Sequence, residues 1–123
     1  DEDYYQDLVD FLGDVHPLKI IVDPSASSFI ACIKSKSKYT VEKAVNNVEN
    51  GIQNVASMLK TGGILFNDCC KNSIDEFLVY AWDEKKGMDT PIKSNDHCMD
   101  DIRYFVNTII YNKKTVKVYN FKM

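Results

Sequence analysis

The chain has 123 residues, 45% of them hydrophobic and 27% charged, which is the size and balance of one soluble globular domain with a modest core. No apolar run approaches the roughly 20 residues that span a bilayer, and the acidic opening residues are not a secretory signal peptide, so we expect no membrane partner. The net charge of −3 opposes nucleic-acid binding through a basic surface alone. Divalent metal ions would restore attraction for phosphate, and they need carboxylates.

Cysteine spacing argues against a structural zinc site, because no Cys-x-x-Cys pair is present. Two of the four cysteines are adjacent and are poor disulfide partners for each other. We therefore expect reduced thiols in a cytosolic protein that is not secreted. The four are Cys32, Cys69, Cys70 and Cys98.

The first half of the chain alternates helix and strand. Apolar residues recur at helical spacing near the start and again after residue 47, and a β-branched run lies between them. The pattern predicts a helix over 2–12, a buried strand over 18–22, a helix from Ser25 to about Lys36, a strand near 39–44 and a helix from about Asn47 to Lys60.

The second half continues this alternation. It predicts a third strand at Ile64–Phe66, a helix over about 73–82, a charged loop over 83–94, a long helix over about 95–111 and a strand over 115–121. Strands separated by helices indicate an α/β fold in which helices cover a largely parallel sheet. No linker or repeat divides the chain, so residues 1–123 are expected to form a single domain.

Asp23 follows the predicted strand 18–22 directly, and ligands bind at that edge of open α/β sheets. It also precedes Pro24, and an Asp-Pro pair is typical of a helix N-cap and first residue. The sequence leaves both roles open. A carboxylate that accepts a bond from a backbone amide is a poorer metal ligand.

The late helix places Asp96, His97 and Asp100 on one face, together with Tyr104 and opposite an apolar stripe. An imidazole and carboxylates from one helical turn suit half of a Mn²⁺ or Mg²⁺ site. A solvated polar face, with Asp96 near the positive end of the helix dipole, explains the same pattern. Both interpretations stay open.

Other charged residues have structural explanations as well. Glu76 lies early in a predicted helix, where acids act as dipole partners or caps. A basic cluster ends the second helix and is either an ordinary soluble surface or a contact for DNA phosphates; its members are Lys34, Lys36 and Lys38. No phosphate loop, nucleophile elbow or His-Glu-x-x-His pair is present, which leaves metal-dependent phosphodiester chemistry open.

Three ordered stretches together resemble the C-terminal nuclease domain of the large terminase subunit of tailed bacteriophages. The similarity covers residues 3 to about 108, nearly the whole chain. Each motif is short, and the ordered set is more specific than any member. The stretches are Ile21–Ala26 with Ser28–Ile30, Lys43–Leu59, and Cys70–Asp83 continued by Asp96–Tyr104.

The resemblance implies a fold similar to ribonuclease H and a metal-dependent endonuclease that cuts concatemeric double-stranded DNA during genome packaging. It implies two Mg²⁺ or Mn²⁺ ions, which would stabilise the attacking and leaving oxygens of the displacement. The family's metal-binding aspartate falls on Asp23 and its third metal-binding position on His97, with Asp100 one turn later, and we expect Asp96 as a further candidate ligand. Implied partners are double-stranded DNA, the terminase ATPase domain, the small terminase subunit and the portal, in the cytoplasm of a bacterial host.

One departure from the family pattern has consequences. The family carries its first catalytic aspartate in a Gly-x-Asp-x-Gly-like motif on an earlier strand, which this chain lacks, so we expect a domain truncated on its N-terminal side. We therefore expect weak or no nuclease activity from the chain alone. An exposed sheet edge predicts self-association, or pairing with the strand 115–121. A non-catalytic α/β interaction or assembly module is the alternative function.

Overall fold

The computed structural model describes residues 1–80 and 96–112. The predicted loop 83–94 and the predicted strand 115–121 lie outside these residues. The elements, in chain order, are α1 (Glu2–Leu12), β1 (Ile20–Val22), α2 (Ser27–Lys36), β2 (Val41–Lys43), α3 (Val48–Lys60), α4 (Lys71–Val79), α5 (His97–Phe105) and a π-helical segment (Val106–Tyr111).

The two strands form a short parallel sheet in which Ile20 pairs with Val41 and Val22 with Lys43. Backbone hydrogen bonds extend the pairing at both ends: Ile20 N–H donates to the Thr40 carbonyl, and Ala44 N–H to the Val22 carbonyl, both at 2.8 Å. Parallel strands need a crossover, and α2 supplies it. The α/β fold class with a parallel sheet, predicted from the sequence, is confirmed.

The first two helices pack together beside the sheet. Tyr4 and Phe29 meet edge to face with ring centroids 6.4 Å apart, and α2 buries Ile30 and Ile33 against the rest of the fold. Helix α2 contacts β2 and α1 contacts α2. The crossover helix therefore links the outer helix to the sheet.

Helix α5 packs on β1, on α3 and on α4, so it joins the sheet to the second helical layer. Its Arg103 is 4% exposed and lies across the first turn of α3. A Cβ atom at Gly51 would lie 2.7 Å from Arg103 Cγ and 2.7 Å from Asn107 Nδ2. Glycine at this position is what allows the two helices to approach.

The predicted long helix changes character after Phe105, where the chain continues as a π-helical segment. The side-chain amide of Asn107 donates a hydrogen bond to the Arg103 carbonyl at 2.7 Å. In a regular α-helix this carbonyl would accept its hydrogen bond from a backbone N–H group. Asn107 also accepts a bond from Asn54 Nδ2 at 2.7 Å. Thr108 Oγ1 accepts from Val45 N–H at 2.9 Å, which ties the segment to the end of β2.

The predicted third strand at Ile64–Phe66 is wrong. Gly62 has φ +72°, and the chain turns back on α3, so that the N–H groups of Gly63 and Ile64 both donate to the Met58 carbonyl. A backbone that caps a helix is not available for strand pairing. Phe66 packs its ring on Phe77, with centroids 5.4 Å apart.

None of the helices within the described parts of the chain is long and apolar enough to cross a lipid bilayer. The four cysteines are free thiols, as predicted.

Replacing Gly51 with alanine tests the contact between α3 and α5. Alanine normally favours a helix interior by about 1 kcal/mol over glycine, but the new methyl group would overlap the stem of Arg103, which its own hydrogen bonds hold in place. We expect a net loss of about 1–3 kcal/mol in the free energy of unfolding, measured with urea. Gln53→Ala, at an exposed position of α3, is the control and should change little; equal values for both variants would contradict the contact.

Candidate functional site at the end of the first strand

Asp23 directly follows β1 and organises the turn that leads into α2. Its Oδ1 accepts hydrogen bonds from Ser25 N–H at 2.8 Å and from Ser25 Oγ at 2.9 Å, and its carbonyl accepts from Ala26 N–H at 3.0 Å. The helix begins at Ser27 with Ala26 as N-cap and without a side-chain cap bond. Asp23 is therefore not the N-cap of α2: it stabilises the turn before the helix.

Tyr104 of α5 reaches the same carboxylate from the other side. Its O–H donates to Asp23 Oδ2 at 2.8 Å. The backbone hydrogen bond from Ser25 lowers the pKa of Asp23, and Tyr104 and Arg103 lower it further against the effect of burial. Burial and the neighbouring Asp23 raise the pKa of Tyr104 to about 12. At neutral pH the phenol therefore keeps its proton and donates to a charged carboxylate.

Asp100 belongs to the same neighbourhood. Its carboxylate forms an ion pair with Arg103 Nη2 at 3.2 Å, and Asp100 and Asp23 both contribute to the raised pKa of Tyr104. Arg103 Nη1 donates to Asn46 Oδ1 at 3.3 Å, and the guanidinium lies 4.9 Å from the centre of the Tyr104 ring. The end of β1 and the last turn of α5 thus meet at the bond between Asp23 and Tyr104.

His97 and Asp96 occupy different surroundings. His97 is exposed at the start of α5 and lines a groove of about 530 Å³ against α4, with Asp75 and Glu76. Desolvation and Asp100 raise the pKa of Asp101, and the charge of His97 partly offsets this. Asp96 is 7% exposed and Asp100 is half-buried, whereas His97 is exposed, so the predicted polar face is solvated only in part.

Glu76 has a structural role that the sequence indicated only in part. It lies in the second half of α4, and its Oε1 accepts hydrogen bonds from Cys98 N–H at 2.9 Å and Met99 N–H at 3.4 Å. These are N-terminal amides of α5, which lack partners inside their own helix. Glu76 therefore caps the neighbouring helix instead of its own.

Within residues 1–80 and 96–112, no group of three or more His, Cys, Asp or Glu side chains is placed to hold a metal ion. Asp23 and Asp100 supply oxygen atoms of the kind that Mg²⁺ and Mn²⁺ prefer. The described residues by themselves do not fit a complete two-metal site.

The basic cluster lies far from these carboxylates along the fold. Helix α2 starts at the end of β1 where Asp23 lies and returns the chain over ten residues, about 15 Å, to the start of β2. Lys36 pairs with Glu2 at 2.8 Å, and Lys38 lies 5.4 Å from the centre of the Tyr39 ring. Lys34 is exposed in the last turn of the helix. All three therefore lie near the opposite end of the sheet.

Sequence reasoning gave no role to two residues that organise this site, Tyr104 and Arg103. A signal for Tyr104 existed, because it lies one helical turn after Asp100 on the face that carries the candidate ligands. Arg103 had no such signal, since burial of an arginine depends on partners distant in sequence. Its contact with Asn46 spans 57 positions.

Comparison with solved structures connects this arrangement to a known protein. Over 89% of its length the chain matches the ADP complex of the large terminase from a thermophilic bacteriophage, with 48% sequence identity and a TM-score of 0.82. It matches the ATP-gamma-S complex and another crystal form of the same terminase with 49% identity and a TM-score of 0.81. The chain spans only 28–29% of the terminase's length. No protein-family model and no curated protein matches.

Replacing Glu76 tests its role as the cap of α5. Glu76→Ala leaves two N-terminal amides without their acceptor, so we expect a loss of about 1–2 kcal/mol in the free energy of unfolding. Asp75→Ala removes the adjacent, exposed carboxylate and should stay within about 0.5 kcal/mol of the original chain. Both values come from urea titrations. Similar losses in the two variants would point to helix charge instead of the specific cap.

Burial of the Tyr104 phenol, together with its hydrogen bond to Asp23, predicts a change of stability at high pH. In the unfolded chain the phenol loses its proton near its ordinary pKa of 10.0, whereas in the folded chain it holds the proton to about pH 12. The stabilisation is therefore complete below pH 10 and is lost as the pH rises from 10 to 12, by up to roughly 3 kcal/mol.

Urea unfolding between pH 8 and pH 12 measures this loss. Tyr104→Phe should be less stable at pH 8, because the hydrogen bond is absent, but its further loss on the way to pH 12 should be smaller. Parallel curves for the two proteins would contradict the assignment.

Proposed function

We propose that this chain is a segment of a large terminase and serves genome packaging in a tailed bacteriophage. The observation that carries the proposal is 48% identity with a TM-score of 0.82 to part of the large terminase of the thermophilic phage, over 89% of the chain. Identity at that level over almost the whole chain supports a shared role as well as a shared fold.

Within such a protein we assign the chain to the nuclease part, an RNase H-like metal-dependent endonuclease that cuts concatemeric double-stranded DNA. Asp23, Asp96, His97 and Asp100 are the residues we propose as its share of the ligands for Mg²⁺ or Mn²⁺. The arrangement at the end of β1 supports this, because Asp23 and Asp100 both lie near Tyr104. Bound divalent ions would supply charge stabilisation to a reacting phosphodiester.

The proposed partners follow from the same assignment. They are double-stranded DNA, the terminase ATPase domain, the small terminase subunit and the portal, in the cytoplasm of the bacterial host. Contact of Lys34, Lys36 and Lys38 with DNA phosphate would occur near the opposite end of the sheet from Asp23. Self-association through an edge of the two-stranded sheet is part of the proposal as well.

A second candidate function is a non-catalytic α/β module used for assembly. Two observations favour it. Both oxygens of Asp23 accept hydrogen bonds within the fold, and Glu76 caps a neighbouring helix, so these carboxylates have structural roles that need no cation. The net charge of −3 also suits a protein surface better than DNA.

Titration with MnCl₂ separates the two functions. A metal that binds only the folded state raises its stability, by about 2.7 kcal/mol at 100 times the dissociation constant. The nuclease assignment therefore predicts a melting temperature that rises by several degrees with Mn²⁺, with the rise reduced in Asp23→Ala and in His97→Ala. Differential scanning calorimetry of the 123-residue chain gives the measurement.

Asp7→Ala is the control for this titration, because Asp7 is exposed on α1 and away from the proposed ligands. It should keep the full rise. A chain whose melting temperature does not respond to Mn²⁺, or responds equally in all variants, would support the assembly module.

A further inference from the structure

We propose that two copies of this chain associate by pairing their β1 strands edge to edge and antiparallel, about a twofold axis at Ile21. The inference rests on the proposed function, in which the chain self-associates through an edge of its sheet. The outer edge of β1 is then the interface, and the two short sheets join into one continuous sheet.

The outer edge of β1 is open among the described residues, because the sheet there consists of β1 and β2 alone. Ile20 N–H donates to the Thr40 carbonyl. Ala44 N–H donates to the Val22 carbonyl, so Ile20 and Val22 both direct their backbone groups toward β2. Successive residues of a strand direct these groups to opposite sides. Ile21 therefore directs its N–H and its carbonyl outward, where a further strand can bind them.

The composition of the two strands favours the β1 edge over the β2 edge. β1 consists of Ile20, Ile21 and Val22, a run typical of a strand that is buried on both faces. All three are only half-buried in the single chain. β2 ends in the exposed Lys43, and lysine on an edge strand commonly protects that edge from pairing. Association through β1 therefore removes apolar surface from water without burying a lysine.

A groove beside Ile21 adds apolar surface to this edge. It has a volume of about 710 Å³ and lies between the sheet and the end of α5 with the π-helical segment. Its lining includes Ile21, Phe105 and Ile109, of which Phe105 is 47% and Ile109 38% exposed. In the proposed pair the Ile21 side chains of both copies lie side by side on the face of the sheet that carries the groove.

The charges on either side of the strand select the antiparallel register. Lys19, Ile21 and Asp23 alternate along the chain and share one face of the sheet. An antiparallel pair centred on Ile21 places Lys19 of one copy opposite the partner's Asp23, and symmetry repeats this contact. A parallel pair in register would instead set lysine against lysine and aspartate against aspartate. Opposite charges on facing residues stabilise a pair of strands, and like charges destabilise it.

Sedimentation equilibrium of the 123-residue chain over a range of concentrations measures the association. Lys19→Glu sets like charges opposite each other twice in the dimer, so we expect the dissociation constant to rise by about 10-fold or more. Lys43→Glu makes the same change of charge on the β2 edge and is the matched control. It should leave the dissociation constant within about twofold, because exposed charges outside the contact contribute little.

Glu42→Gln separates the contact between copies from a bond within one chain. Lys19 pairs with Glu42 of its own chain at 2.9 Å, so Lys19→Glu breaks this pair as well. Glu42→Gln breaks the same pair but keeps the charge of Lys19 that faces the partner's Asp23. The dimer should therefore persist in this variant.

Ile21→Cys tests the position of the twofold axis directly. Facing residues of a hydrogen-bonded antiparallel pair have Cα atoms about 5.5 Å apart, a separation that a disulfide bridges. Mild oxidation should therefore link two copies of Ile21→Cys, as seen on a non-reducing gel. Ile20→Cys is the control, because the two copies of residue 20 lie two positions out of register. Cys69, which is exposed, is replaced by serine in every protein of this experiment.

The outcomes separate this interface from the proposed function. A chain that sediments as a single copy at every concentration would end the self-association, whereas the terminase assignment is tested separately by the response to Mn²⁺. A dimer that Lys43→Glu or Glu42→Gln weakens as much as Lys19→Glu would overturn the β1 interface alone. Oxidation that links Ile20→Cys as readily as Ile21→Cys would overturn it as well.

Discussion

The buried guanidinium of Arg103 is the constraint on which the second helical layer and the end of the sheet both depend. A charge removed from water is costly unless it is paired and hydrogen-bonded. Arg103 meets this requirement in part: its two Nη groups bond to the Asp100 carboxylate and to the Asn46 side-chain oxygen, and its stem lies against Gly51, whereas its buried Nε has no partner among the described residues. The Arg103 side chain thereby holds α5 against the first turn of α3. This placement also brings the face of α5 that carries Tyr104 to the end of β1, where Tyr104 bonds to Asp23.

The same guanidinium shapes the electrostatics of the candidate site. Asp23 and Asp100 are carboxylates from separate elements, and their mutual repulsion would oppose a close approach. Arg103 pairs with Asp100 and helps to lower the pKa of Asp23, and the Tyr104 hydroxyl donates to Asp23 directly. Each carboxylate therefore has a compensating partner within the fold: Arg103 for Asp100, and Ser25 and Tyr104 for Asp23.

Several features could be predicted because they are local. Helical spacing located α1 and α3, and the β-branched run located β1, so the position of Asp23 at a sheet edge followed from the sequence alone. The contact of α5 with that edge runs through Tyr104, to which the sequence assigned no role. The pairing partner and register of β1 could not be obtained from local pattern, because they depend on a strand 21 positions away.

Where prediction failed, a distant or unusual hydrogen bond decided the outcome. Ile64 is β-branched and suits a strand, but its N–H caps α3 at the Met58 carbonyl. Asn107 gave no sign that its side chain would take the Arg103 carbonyl and accompany a change to π-helical geometry. In each case the hydrogen bond that a backbone carbonyl needed outweighed the local preference of the residue for a strand or a regular helix.

This requirement for partners also bears on how the candidate site would serve a cation. Glu76 is committed to the amides of α5, so the acids nearest His97 do not all remain available as ligands. The Asp23 carboxylate is used in a similar way, because both of its oxygens accept hydrogen bonds: Oδ1 from the Ser25 amide and hydroxyl, and Oδ2 from the Tyr104 phenol. These bonds stabilise the turn after β1, and they already occupy most of the acceptor capacity that the carboxylate could offer to an ion.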